Sequence, residues 1–262
     1  MLLGKEVKKM KLFEEDSKPQ DAAALLLALF REFKEVPQGE VSRAISPSGL
    51  NCPVACAWKL QGRPVPPEKE SFQSRGFAEN GEDRHKRIQE FLSQTEYWVD
   101  IEAYIAENKL PLQVLRHDGF EVLLWSEEYQ CRFKCDGMLK IKGQYYVLEI
   151  KTERQQANTY RTGADEKHQK QGKTYTLLLG TDKILWVYEG RDFLEQKPFV
   201  QVVSKAEKKE MADYIKNIIA NKDTPEKLDR NLKACGYCQY KAYCKMYFNE
   251  LARKEFEKCQ KK

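Results

Sequence analysis

The pattern of hydrophobic and polar residues changes its period along the chain, and this change predicts an α/β fold. Apolar residues recur at helical spacing in several stretches, most clearly where His85, Ile88 and Leu92 share one face. Elsewhere they form short runs of β-forming residues. The predicted helices cover about 21–33, 52–60, 79–92, 164–179 and 205–220. The predicted strands cover about 120–125, 129–141, 144–150, 183–188 and 199–203.

The chain has 262 residues and shows neither an internal repeat nor a low-complexity linker, so we expect one integrated domain. Within it we distinguish three stretches. They are an N-terminal helical segment at 1–45, a core at 46–204, and a C-terminal helix with a cysteine-bearing appendage at 205–262.

Charge and hydropathy narrow the class of protein without fixing its function. Lys and Arg number 45 against 40 Asp and Glu, and the net charge of +5 permits a nucleic-acid partner without requiring one. No stretch approaches the roughly 18 apolar residues of a membrane span, and the N-terminus does not resemble a signal peptide. We therefore expect a cytoplasmic protein, in the host cytoplasm if a phage encodes it. Clustered cysteines in that compartment bind metal more often than they form disulfides.

A predicted hairpin brings two acids and a lysine together. Strand alternation over residues 131–139 places Asp136 on one face, and Glu149 and Lys151 share a face across the turn. If the hairpin closes about Gly143, Asp136 lies opposite or next to Lys151 and diagonal to Glu149. Diagonal neighbours in an antiparallel pair are close enough for their side chains to converge.

The chemistry of these groups favours a divalent metal. Facing carboxylates repel each other unless a cation lies between them, and Mg²⁺ or Mn²⁺ prefers hard oxygen ligands. Asp136 and Glu149 would then hold the metal, with the carbonyl of Ile150 as a further ligand. Lys151 would orient a water or stabilise negative charge. The alternative is an exposed hairpin with ordinary solvated charges, because the pattern is short.

Two further segments occur in an order that, with the hairpin, resembles a known family. Gly81–His85 has the spacing G-x-x-x-H upstream, and Gln171–Tyr175 has the spacing Q-x-x-x-Y downstream. Together with Asp136 and Glu149-Ile150-Lys151 they resemble the PD-(D/E)xK nucleases, and within these the RecB-like exonuclease branch. The resemblance implies a restriction-endonuclease-like α/β fold, with a central mixed sheet flanked by helices and His85 as a metal ligand.

The same resemblance implies hydrolysis of phosphodiester bonds in DNA, at single strands or ends, by an exonuclease that uses Mg²⁺ or Mn²⁺. Recombination, repair and CRISPR adaptation all use this chemistry. The implied catalytic residues are Asp136, Glu149, Lys151, Gln171 and Tyr175, and the implied metal ligands are His85, Asp136, Glu149 and Ile150. Gln171 and Tyr175 share a helical face and would touch a nucleotide beside the metal. The family often has a glycine shortly before its first acid, which this chain lacks at 132–135.

Two other functions stay open at this point. One is a DNA-binding or scaffold subunit that retains the nuclease fold without cutting. The other is a zinc-containing RNA-processing protein.

Three cysteines near the C-terminus, Cys235, Cys238 and Cys244, have the C-x₂-C-x₅-C spacing of metal ligands. Three thiolates leave a tetrahedral site one ligand short, and Cys52 or Cys56 could supply the fourth. The arrangement is similar to RecB-like nucleases with an iron–sulfur cluster, such as AddB and the CRISPR-associated Cas nucleases. That resemblance implies a [4Fe–4S] cluster held by Cys52, Cys235, Cys238 and Cys244. Zinc is the chemical alternative, since four thiolates suit it equally.

Basic residues near the hairpin are expected to hold the DNA backbone, because Lys and Arg neutralise phosphates. These DNA-binding candidates are Arg132, Lys134, Arg154 and Arg161. His117 and His168 belong to no motif, and we expect both at the surface. Cys131 and Cys135 alternate with polar residues on the strand, and we expect both in the core.

Overall fold

The computed structural model describes residues 19–36, 42–65 and 68–259, and these fall into two compact units. The first unit contains the described residues 19–36 and 68–79, and the second contains 42–65 and 80–259. The ends of the predicted terminal segments, residues 1–18 and 260–262, lie outside the described residues. The division of the sequence at residues 45 and 204 stays a prediction.

The first unit is a helix followed by a pair of strands. The alanine- and leucine-rich sequence forms α1 (Pro19–Arg31), which confirms the predicted N-terminal helix. β1 (Phe33–Val36) pairs antiparallel with β2 (Glu68–Ser71). The rings of Phe30 and Phe72 lie 4.9 Å apart, so α1 contacts the helix that begins at Phe72.

The second unit contains two sheets, one antiparallel and one mixed. The antiparallel sheet has the order β3 (Gln113–Asp118), β4 (Glu121–Ser126), β5 (Cys131–Phe133). The mixed sheet has the order β6 (Gly137–Ile141), β7 (Gln144–Glu153), β8 (Lys183–Gly190), β9 (Gln196–Val202). β7 and β8 are parallel, and the segment between them is helical because parallel neighbours need a long crossover.

Further helices connect and flank the strands. They are α2 (Pro53–Leu60), α3 (Phe72–Ser93), α4 (Ile101–Glu107), α5 (Gln155–Thr159), α6 (Glu166–Leu178), α7 (Lys205–Ala220) and α8 (Lys241–Cys259). This architecture confirms the expected α/β class, with a mixed sheet flanked by helices and cysteines in the C-terminal region. Within the described ranges, no helix is both long and apolar enough to cross a membrane.

Alternate residues of β7 face different helices, as strand geometry requires. Leu148 and Ile150 pack with Ile88 of α3 in one buried cluster. The intervening Glu149 faces α6, where Gln171 donates a hydrogen bond to it. Leu148 and Ile150 therefore face α3, whereas Glu149 faces α6.

The strand predicted over 129–141 is divided in the structure, which is a correction. β5 ends at Phe133 and pairs with β4, whereas β6 begins at Gly137 and pairs with β7. Gly137 has a φ of +156°, and a Cβ there would overlap the indole of Trp98. Only glycine suits such a position, so the chain changes sheets here and Asp136 lies in the break.

The predicted pairing across the hairpin was also wrong by up to two residues. Gly137 lies opposite Leu148, and the turn consists of Lys142 and Gly143, both with positive φ. Such two-residue turns match the twist of the strands that they join. Continuing this register by one position aligns Asp136 with Glu149 instead of Lys151.

Gly172 lets α6 approach β8, and we predict that Gly172→Ala destabilises the protein. A Cβ at Gly172 would overlap Ile184 and lie 2.7 Å from Cζ2 of the Trp186 indole. Overpacking of this kind costs about 1–3 kcal/mol of unfolding free energy, which urea denaturation measures. Gly163→Ala is the matched control, because no heavy atom lies within 4 Å of a Cβ there. Equal stability of the two variants would contradict the prediction.

Candidate functional site

Asp136 lies in the chain break between β5 and β6 and is 6% exposed. Its Oδ2 accepts a hydrogen bond from the backbone N–H of Ile150 at 2.5 Å. Its Oδ1 lies 3.0 Å from Nδ1 of His85 on α3. Gln89, one turn further along α3, donates to the Asp136 carbonyl at 2.8 Å. The carboxylate is therefore oriented by a strand and a helix together.

Glu149 is a second buried acid beside the first, and it is 3% exposed. Its Oε1 accepts hydrogen bonds from Lys151 Nζ at 2.5 Å and from Gln171 Nε2 at 2.6 Å. Burial and the charge of Asp136 raise the pKa of Glu149 to about 7, although Lys151 and His85 act in the opposite direction. The site thus holds more negative charge than its own cations neutralise.

Gln171 and Tyr175 support Glu149 from α6. Gln171 Nε2 also lies 2.9 Å from the Tyr175 hydroxyl, which donates to the Lys134 carbonyl at 2.9 Å. Both side chains are buried, and burial raises the pKa of Tyr175 well above its ordinary value. The pair therefore orients the acid. The prediction that it touches a nucleotide stays a prediction.

Glu121 is a functional candidate that the sequence did not reveal. Each of His85, Glu121 and Asp136 offers one ligand atom, and these atoms lie within 4.8 Å of one another. In the described part of the chain no other group of three such residues has this spacing. Glu121 begins β4, in the other sheet, and no motif marks it.

This donor set fits a divalent metal. An imidazole nitrogen and carboxylate oxygens are ligands that Mg²⁺ or Mn²⁺ accepts. Burial lowers the pKa of His85, but the hydrogen bond and the charge of Asp136 outweigh this effect and raise it. A cation would relieve the repulsion between Asp136 and Glu149 that the raised pKa of Glu149 reflects.

A buried ion-pair cluster positions the part of α3 that carries His85. Glu189 on β8 is fully buried and accepts hydrogen bonds from Arg84 at 2.8 Å, Arg87 at 2.6 Å and Gln196 at 2.7 Å. Burial raises the pKa of Glu189, but these hydrogen bonds outweigh it, and the pKa lies below its ordinary value. Because the two arginines flank His85 in sequence, they hold its helical turn against the sheet.

Two of the predicted DNA-binding residues, Arg132 and Lys134, lie on or just after β5 and are exposed. Lys134 forms ion pairs with Glu121 and, at 3.4 Å, with Asp118. Arg132 forms no ion pair with any described residue. Arg132 therefore presents a cation without an acidic partner in the described ranges, whereas Lys134 already contacts acids.

The other two, Arg154 and Arg161, lie after β7. Arg154 is exposed at the beginning of α5. Arg161 forms an ion pair with Glu153, and its guanidinium lies 4.0 Å from the ring centre of Tyr188. The side chain of Arg161 is thus engaged within the protein.

The two histidines outside the motifs differ in their surroundings. His117 is exposed and pairs with Glu102 at 3.1 Å, as expected for a surface residue. For His168 the surface expectation was wrong. Its Nδ1 lies 3.0 Å from the Tyr188 hydroxyl and its ring stacks on Trp186, and burial lowers its pKa to about 4. His168 is therefore a neutral part of the packing beside β8.

The cysteines separate into two groups. Cys56, Cys131 and Cys135 are buried in the main core, which confirms the expectation for the last two. Burial raises the pKa of Cys56 and Cys131 to about 12. The other group lines one small pocket between α2 and the C-terminal segment and consists of Cys52, Cys235, Cys238 and Cys244. Cys56 lies outside this pocket, and its thiol donates to the Gly49 carbonyl at 3.3 Å.

Comparisons with known proteins give only distant likenesses. No family model matches the chain, and no curated protein matches its sequence. It is similar to the crystal structure of SSO0001, with a TM-score of 0.43, 17% identity and coverage of 80% of this chain and 88% of that one. It is similar to an alkaline exonuclease (LHK-Exo) from Laribacter hongkongensis, with a TM-score of 0.37, 12% identity and coverage of 70% and 89%. The same enzyme in complex with dAMP gives 0.36, 14%, 70% and 89%.

We predict that Glu189→Ala destabilises the protein strongly. Removing one partner from a buried ion pair leaves the others uncompensated and costs about 3–5 kcal/mol of unfolding free energy. Denaturant unfolding measures the change, with Glu90→Ala on the exposed face of α3 as the control for loss of one acid. A variant as stable as this control would show that the cluster does not hold α3.

Proposed function

We propose that this protein is a metal-dependent DNA nuclease that hydrolyses phosphodiester bonds. The observation that carries the proposal is the convergence of His85, Glu121 and Asp136, with ligand atoms within 4.8 Å of one another. Glu149 and Lys151 lie beside them, with Lys151 Nζ 2.5 Å from the Glu149 carboxylate. His85 lies on α3, Glu121 on β4 and Asp136 in the break between β5 and β6, so the three converge from distant parts of the chain.

The proposed metal ligands are His85, Asp136 and Glu149, with the Ile150 carbonyl and, from the geometry, Glu121. A Mg²⁺ or Mn²⁺ ion bound there polarises a phosphoryl oxygen and lowers the pKa of a water. The protein supplies orientation, since Gln171 holds Glu149 and the Ile150 N–H holds Asp136. Preorganised ligands spare the reaction the cost of rearranging them.

Lys151 has the geometry of a group that acts on the substrate. Its side chain is 23% exposed, whereas that of Glu149 beside it is 5% exposed. The ammonium group can therefore contact a phosphate while its other side remains paired with Glu149. A cation in this position orients a water molecule and stabilises the negative charge that develops on the phosphate.

The motif order supports a RecB-like exonuclease that acts on single strands or DNA ends. The segment that ends at His85, then Asp136, then Glu149-Ile150-Lys151 and then the segment that ends at Tyr175 follow one another along the chain. The proposed settings are recombination, repair or CRISPR adaptation.

We further propose that Cys52, Cys235, Cys238 and Cys244 hold a [4Fe–4S] cluster. The four side chains line one pocket, whereas Cys56 is turned into the core. Four thiolates suit zinc as well as an iron–sulfur cluster, and the order of the cysteines along the chain, which is similar to that of RecB-like nucleases with such a cluster, favours the cluster.

Asp136→Asn and Lys151→Ala are expected to abolish cutting while the fold is retained. Each change removes a group that contacts the reacting centre, so the rate should fall by at least about 100-fold. Labelled single-stranded DNA with Mn²⁺, and separately with chelator, gives the measurement. Asp83→Asn on the exposed face of α3 is the matched control. Cutting that persists in either variant would refute the assigned site, and a wild type that binds DNA without cutting would favour the scaffold function.

The cluster proposal predicts about four iron atoms per chain and brown absorbance after anaerobic purification. Cys235→Ser is expected to lose the iron and to be less stable, because a bound cluster stabilises the folded state. Cys56→Ser should keep it, since its side chain points into the core. Metal analysis decides the outcome. One zinc per chain, or loss of iron from Cys56→Ser but not from Cys52→Ser, would contradict the assignment.

A further inference from the structure

A cleft of about 340 Å³ lies beside the acidic site, between residues 42–48, α2 and the antiparallel sheet. Among the described residues, its wall includes four basic side chains and no carboxylate. The basic residues are Lys59, Arg116, Arg132 and Lys134. Because like charges focus the potential within a cleft, this one attracts anions.

Two of these cations have no acidic partner among the described residues. Arg132 forms no ion pair, and Lys59 Nζ has only the Ser46 hydroxyl, at 3.4 Å. By contrast, Arg116 and Lys134 both pair with Asp118 at 3.4 Å. Lys59 is half-buried on α2, where a charge without a counter-ion is unfavourable. Lys59 and Arg132 are thus the two groups that an incoming anion would satisfy.

Two residues that line the cleft, Lys134 and Tyr175, also contact residues of the proposed catalytic site. Lys134 lines the cleft and pairs with Glu121, one of the candidate metal ligands. Tyr175 also lines it and is hydrogen-bonded to Gln171, which holds Glu149. An anion in the cleft would therefore lie next to the group that is cut.

We propose that the cleft binds a phosphate group of the DNA strand adjacent to the scissile one, through Lys59 and Arg132 with the Ser46 hydroxyl. The proposal rests on the proposed nuclease function and names the substrate contact of that site. Ammonium and guanidinium groups with a hydroxyl are the donors that phosphate oxygens prefer. Either a backbone diester or a terminal monoester presents those oxygens.

Binding of labelled single-stranded DNA in chelator, where no cutting occurs, tests the cleft by fluorescence anisotropy. The double variant Lys59→Ala/Arg132→Ala is expected to bind about tenfold or more weakly. Each lost phosphate contact lowers the slope of log K against log salt by about 0.7 for single strands, so the double variant, which loses one phosphate contact, should lose about 0.7. In Mn²⁺, KM should rise while kcat at saturating DNA stays unchanged.

Lys140→Ala/Lys209→Ala is the matched control, because it removes the same charge from exposed positions outside the cleft. Equal affinity and equal salt slope in the two double variants would overturn the proposal. Cutting by the wild type would still support the nuclease function in that case. The opposite result is also informative. If only Lys59→Ala/Arg132→Ala loses DNA binding and the wild type never cuts DNA, the cleft proposal is supported and the nuclease function is refuted.

Oligonucleotides with a 5′ phosphate, a 3′ phosphate or neither distinguish the two sources of the phosphate. If the cleft takes a terminal monoester, one phosphorylated end binds more tightly, and the double variant loses that preference. If it takes a backbone diester, all three bind alike and the double variant weakens all three equally. A preference for one end that survives in the double variant would place the terminal phosphate elsewhere and contradict the assignment.

Discussion

The carboxylate of Asp136 is held between the backbone N–H of Ile150, at 2.5 Å, and the imidazole of His85, at 3.0 Å. This pair of contacts joins the central strand of the mixed sheet to α3, and the other groups of the site are placed relative to it. Gly137 makes this placement of Asp136 possible, because its φ of +156° lets the chain pass from β5 in one sheet to β6 in the other. The acid is therefore positioned by a change of sheet that only glycine tolerates.

Two buried acids, Glu189 and Glu149, differ in the charges that surround them. Glu189 is surrounded by Arg84 and Arg87, and its lowered pKa shows that its charge is compensated within the fold. Glu149 instead lies next to Asp136. Its pKa is raised to about 7, because burial and the negative charge of Asp136 raise the pKa by more than the positive charge of Lys151 lowers it. Glu189 therefore belongs to the ion-pair cluster that positions α3, whereas Glu149 belongs to the proposed metal site.

The two proposed binding regions are linked through α2. This helix begins after Cys52, which lines the cysteine pocket, and carries Lys59, which lines the cationic cleft. A cluster bound at the cysteines would therefore fix one wall of the cleft as well as the C-terminal segment. In this arrangement the proposed cluster would have a structural role, by holding the proposed phosphate-binding cleft beside the acids.

The sequence by itself determined the α/β class and singled out Asp136, Glu149, Lys151 and the i, i+4 pair on α6 as candidates, because such spacings are local properties of strands and helices. It misplaced the strand pairing, because the hairpin turn consists of only two residues, Lys142 and Gly143. Only the tertiary structure identified Glu121 as a candidate ligand and Glu189 as the centre of an ion-pair cluster. It also showed that His168 packs against Trp186 and Tyr188. These residues acquire their roles from partners far away in the chain, and such contacts depend on how sheets and helices pack, which no local pattern records.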